Sequence, residues 1–93
     1  MIVAVREKLY LGDSDAASDE ENLLKMGITD ICTIAEMKPE FPDTFHYLVI
    51  PVLDVPEADL ISYFDEALTF ISNGLNSGAV LIHWYVGISI MVL

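Results

Sequence analysis

"GAVLIHWYVGISIMVL", Gly78 to Leu93, closes the sequence, and its reading decides the fold. An apolar run from Ala79 to Ile82 ends at His83, a short segment with Gly87 and Ser89 follows, and a second apolar run begins at Ile90. Strand, tight loop and the first turn of a helix produce that order. It is the layout in which backbone amides and a helix N-terminus cradle a phosphate, with a nucleophile just after the histidine. The residue after the histidine is Trp84, whose indole carries no nucleophile.

Working outward, apolar runs alternate with helical patterns and no internal repeat occurs. "IVAV" and "KLYLG" read as two short strands, with Gly12 and Asp13 as the turn after them. "DSDAASDEENLLKMG" reads as an acidic cap region and one short helix, with Ser18 or Asp19 accepting at its start and Gly27 closing its end. "ITDICTI" is β-branched and apolar, hence a strand; "AEMKPEFPDTF" holds two prolines and is a loop. "HYLVIPVLD", ending at Asp54, is a nearly continuous apolar run and predicts a strand buried on both faces. The clearest helix is "DLISYFDEALTFISNGLNSG", where Leu60, Ile61, Phe64, Leu68, Ile71 and Leu75 keep a 3.6-residue period between Asp59 as cap and Gly78 as stop. "AVLIH" is a further strand. The pattern is α/β around a four- or five-stranded mixed or parallel sheet, which places ligands beyond the carboxyl ends of its strands. Asp54 and the 84–89 loop both fall at such ends.

Composition bounds what this fold can do. A chain of 93 residues is one small domain, spanning 1–93, that buries about 60–65% of its unfolded surface. Its 54% hydrophobic content and positive mean hydropathy exceed what a two-layer fold of this size hides. The net charge of −11, with only Arg6, Lys8, Lys25 and Lys38 as cations, argues against nucleic acid or an anionic membrane as partner. Cys32 is the only cysteine, which excludes a disulfide framework and a thiolate metal site and suits a reducing cytoplasmic or nuclear compartment. "MIVAVREKLYLG" meets charge after five apolar residues, too few for a signal segment or a membrane span. Neither a cofactor nor a metal is expected.

"HWYVGIS" with Ile90 resembles the signature loop of the dual-specificity protein phosphatases, which runs His-Cys, five residues with Gly and Ser at set places, then Arg. His83, Gly87 and Ser89 match; Tyr85, Val86 and Ile88 fill the remaining loop positions. "LYLGDSDAAS" resembles the family's first strand and turn, "LLKMGITDICTI" its helix and strand, and "IPVLDVPEADLISYFDEALTFI" its acid-bearing loop and following helix. The resemblance implies a protein-tyrosine-phosphatase-like fold and an ancestral dephosphorylation of phosphoproteins through a cysteinyl-phosphate, with Asp54 at the general-acid position.

The departures carry as much information. The nucleophile position holds Trp84 and the arginine position holds Ile90, so the thiolate and the bidentate, charge-assisted phosphate contact are both missing. His83 supports the loop and thiolate in the family; without the thiol it reads as a buried, hydrogen-bonded histidine. Ser89, which would assist departure of the thiol, reads as a partner of loop backbone. Cys32 is no substitute nucleophile, since "CTIAEMK" has no glycine, no preceding histidine and a lysine at the end of the spacing; it reads as a core residue. Family members continue from the loop into a long helix and further helices on one sheet face, whereas this sequence stops at "SIMVL". The resemblance therefore implies a truncated domain lacking the C-terminal helices, with a bare sheet face and a homo-oligomer as the expected assembly. Three functions compete: an inactive phosphatase-like interaction module, an altered or aberrant phosphatase fragment with no role of its own, and a residual phosphate-monoester hydrolase.

Overall fold

The computed structural model describes residues 1–35, 37–51 and 57–84. Its elements are β1 (Ile2–Arg6), β2 (Leu9–Gly12), α1 (Ser14–Ala17), α2 (Glu20–Lys25), β3 (Ile28–Ile34), β4 (His46–Ile50), α3 (Glu57–Ser77) and β5 (Ala79–Trp84). They form one five-stranded mixed sheet in the order β1-β2-β5-β3-β4. β1 pairs antiparallel with β2 through a turn in which Lys8 takes φ 67°, and the other three pairings are parallel. The carboxyl ends of β2, β3, β4 and β5 therefore share one edge of the sheet.

The helices form where caps and apolar periodicity coincide. The acidic region holds two short helices rather than one: Asp13 accepts from the amide of Ala16 to start α1, and Asp19 accepts from that of Asn22 to start α2. Ser18 ends α1 instead of opening α2. Gly27 closes α2 at φ 79°, a conformation that a side chain would strain. α3 begins at Glu57, so Asp59 lies inside the helix and not at its cap; Gly78 does end it, its amide bonding the Gly74 carbonyl at 2.9 Å.

Each sheet face carries its own layer. Ile31, Leu81, Ala79 and Ile28 pack with Leu23, Ala17 and Phe45 under α1, α2 and the loop before β4. On the other face Cys32, Ile34 and Ile50 pack with Leu48, Ile82, Trp84 and the α3 residues Tyr63, Ala67 and Phe70. The strands buried on both faces are β3 and β5, at the centre. β4 is an edge strand and only half-buried, contrary to what its apolar run predicts, because among the described residues it has β3 on one side and no strand on the other.

The stripe of α3 that meets the sheet is turned from the one its period suggests, so that Phe64, Ile71 and Leu75 are only half-buried. Tyr63, Ala67, Phe70 and Gly74 face the sheet, while Ile61 and Leu68 remain 68% and 65% exposed. Gly74 decides this. A Cβ there would stand 2.6 Å from Val80 Cγ2 and 3.0 Å from Asp30 Cγ, so glycine lets the helix backbone approach the sheet along that line.

Candidate functional site

His83 and Trp84 are the last two residues of β5 and project to opposite faces, as the pleat requires. The register sets His83 level with Gly12 on β2 and Thr33 on β3, and sets Trp84 level with Ile34. The site thus stands at the carboxyl edge of the parallel strands, where the βα connections cluster.

His83 is buried, with 4% of its surface exposed. Its Nε2 lies 3.5 Å from Ser14 Oγ, and its Nδ1 lies 3.5 Å from Thr33 Oγ1. Both contacts are long, yet together they satisfy the two ring nitrogens of a neutral imidazole, one donating and one accepting. Burial lowers its pKa below 6.5, and the carboxylates of Asp13 and Glu40 oppose that shift. A cavity of about 20 Å3 beside it, bordered by Thr33, Lys38, Glu40 and Tyr47, has room for about one water.

Stability should follow this proton. Because the folded-state pKa is depressed, the contribution of neutral His83 is complete above 6.5 and is lost as pH falls from there towards the folded-state value. Urea unfolding should show a smaller free energy at about pH 5.5 than at about pH 7.5. His83→Gln should flatten that slope; an unchanged slope would mean the imidazole is not held neutral.

Trp84 is half-buried and joins the cluster of Cys32, Ile34 and Ile50 on the α3 face. Its ring is thus engaged in apolar packing on the side opposite His83. Cys32 lies in the same cluster, fully buried; burial, with a smaller push from Glu66, raises its thiol to about 11. It remains protonated at neutral pH and supplies no thiolate. Asp54 and the loop positions Tyr85, Val86, Gly87, Ile88, Ser89 and Ile90 lie outside the described residues.

Ser14 and Thr33 are the site residues that sequence reasoning missed. Ser14 had one usable signal, its place just after a strand end in "LGDSD"; Thr33 had none, since only the pairing of β3 with β5 brings it to the histidine. Among the described residues there is no group of acidic, histidine and cysteine side chains arranged for a metal, and no helix long and apolar enough to cross a membrane.

No protein-family model matches the chain. Over 83 residues it is 45% identical to the MAP kinase phosphatase with leucine-rich repeats protein 1 of Dictyostelium discoideum, covering 89% of this chain and 10% of that protein. It is 38% identical over 87 residues to dual specificity protein phosphatase 1B of Arabidopsis thaliana, covering 91% of this chain and 52% of the relative. The crystal structure of DUSP15 superposes with a TM-score of 0.79 at 37% identity, over 96% of this chain and 58% of that one. The chain belongs to the dual-specificity protein phosphatase family. It spans about half of the plant phosphatase and a much smaller part of the Dictyostelium protein. In this dual-specificity phosphatase sequence His83 and Trp84 close the central strand β5.

Proposed function

We propose that this chain is a catalytically inactive dual-specificity phosphatase domain whose remaining role is association, first of all with a second copy of itself. The observation that carries the reading is Trp84. An indole engaged with the Cys32, Ile34 and Ile50 cluster occupies the position where the family's reaction needs a thiolate. Ile90 at the arginine position removes the oxyanion clamp as well, and the nearby thiol of Cys32 is held protonated. The names of the relatives support phosphoproteins as the ancestral substrates. A lone buried cysteine supports a reducing cytoplasmic or nuclear compartment. Self-association is supported by apolar side chains left on the surface, Ile61 and Leu68 among them.

The test is hydrolysis of p-nitrophenyl phosphate and of a phosphotyrosine peptide. Loss of a catalytic nucleophile costs on the order of 10⁶ in kcat where it has been measured, so the chain should match the buffer rate. Trp84→Cys should not restore turnover, and Trp84→Cys with Ile90→Arg should recover little, because a bulky packing residue has been removed without rebuilding a preorganised loop. Turnover by the unmodified chain that vanishes in Asp54→Ala would establish the hydrolase reading instead.

A further inference from the structure

Ser18 stands at the exposed corner between α1 and α2, ending the first helix one residue ahead of the cap of the second. Its Oγ donates to Glu40 Oε2 at 2.8 Å, across 22 positions of sequence. Glu40 belongs to the segment from Met37 to Phe45 that leads into β4, and with Lys38 it borders the small cavity beside His83. A second bond of the same kind, from Thr44 Oγ1 to Glu20 Oε2 at 2.7 Å, ties the far end of that segment to α2. Two exposed hydroxyl–carboxylate bonds thus hold the border of the histidine cavity against the α1–α2 corner.

We infer that Ser18 is a phosphorylation site, modified by a serine/threonine protein kinase with a basic substrate cleft, and that the modification detaches Glu40 and moves the 37–45 segment. Access is the first requirement. Ser18 is exposed, and the helices on either side have four and six residues, too short to persist without their packing, so the corner opens locally to enter a cleft. Charge is the second. Asp19, Glu20 and Glu21 follow the hydroxyl directly, Asp13 and Asp15 precede it, and the next cation along the chain is Lys25. A cleft lined with lysine and arginine is selected by that run, and an acidic cleft is repelled.

In the transfer, Ser18 Oγ attacks the terminal phosphorus of a nucleoside triphosphate. The O–P bond forms, the bond to the bridging oxygen breaks, the nucleoside diphosphate leaves, and the hydroxyl proton passes to the kinase's catalytic carboxylate. The product reverses the interaction at this corner. Where a hydroxyl donated to Glu40, a phosphate with a charge of about −1.5 to −2 repels the carboxylate. Lys38 lies two residues earlier on the same segment, beside the same cavity, and makes no salt bridge among the described residues. It is the cation placed to take the phosphate, and exchange of Glu40 for Lys38 moves the segment that borders His83.

The experiment treats the folded 93-residue chain with such a kinase and magnesium nucleoside triphosphate, maps the product by mass spectrometry and follows amide hydrogen exchange in 37–45. One phosphoryl group should appear on Ser18, Ser18→Ala should accept none, and Glu21→Gln should slow the transfer at least about threefold by thinning the acidic run. In the phosphorylated chain the amides of Thr44 and Phe45, which bond to the Phe41 carbonyl, should exchange at least about threefold faster. Glu40→Gln should remove most of that acceleration, because a neutral amide is not driven off by phosphate. Circular dichroism of each variant confirms that it is folded. Absence of transfer, transfer to a different residue, or a phosphorylated Ser18 with unchanged exchange at Thr44 and Phe45 would overturn the inference. Acceleration undiminished in Glu40→Gln would overturn the displacement of Glu40 as its cause.

Discussion

Leu81→Ala is expected to remove about 2–5 kcal/mol of folding free energy, the range for emptying a well-packed leucine site. Leu81 is fully buried on β5, between β2 and β3, and packs in the cluster of Leu23, Ile31 and Ala79. A cavity there touches strands on both sides and cannot collapse without moving the central ladder. Domains of this size have about 5–14 kcal/mol in all, so the variant should unfold at a markedly lower denaturant concentration and lose on the order of 10 °C or more in Tm. Leu24→Ala, at a side chain 54% exposed on α2, should shift stability by no more than about 0.5 kcal/mol. Equal midpoints for the two variants would mean that β5 is not the centre of the core.

Gly74→Val is expected to be nearly as damaging, and for the opposite reason. Glycine in the middle of a helix ordinarily costs about 1 kcal/mol relative to alanine, so propensity alone favours replacing it. Packing reverses the sign. The new Cβ would lie 2.6 Å from Val80 Cγ2, and Val80 is fully buried and cannot yield. α3 must lift from the sheet, a change that costs on the order of 3 kcal/mol for a branched side chain. Gly74→Ala should also be net destabilising, by a smaller amount, while Asn76→Ala on the exposed side of the same helix should be neutral or slightly stabilising. Stabilisation by Gly74→Ala in urea titrations would show that α3 does not sit against Val80 along this line.

Much of the backbone was legible before the structure. β-branched runs marked β3 and β5, Asp19 and Gly27 stood where α2 starts and ends, and the mixed α/β order followed from alternating strand and helix patterns. These features are local: side-chain spacing and capping atoms act within a turn or two of chain. The resemblance to the family was equally legible, because it is carried by residue types and their spacing.

What the sequence could not settle depends on which distant segments meet. A 3.6-residue period announces that α3 is amphipathic, but it has two neighbouring apolar stripes, and only the space opened by Gly74 over Val80 and Asp30 selects the one that packs. The apolar run of β4 reads like a central strand, yet strand order makes it an edge. His83 finds its two hydroxyl partners 69 and 50 residues away, at Ser14 and Thr33. Residue types alone determined the family of this chain. Strand order and helix approach determined which apolar side chains became core and which, such as Ile61 and Leu68, stayed exposed, since burial is a property of the assembled layers and not of any one segment.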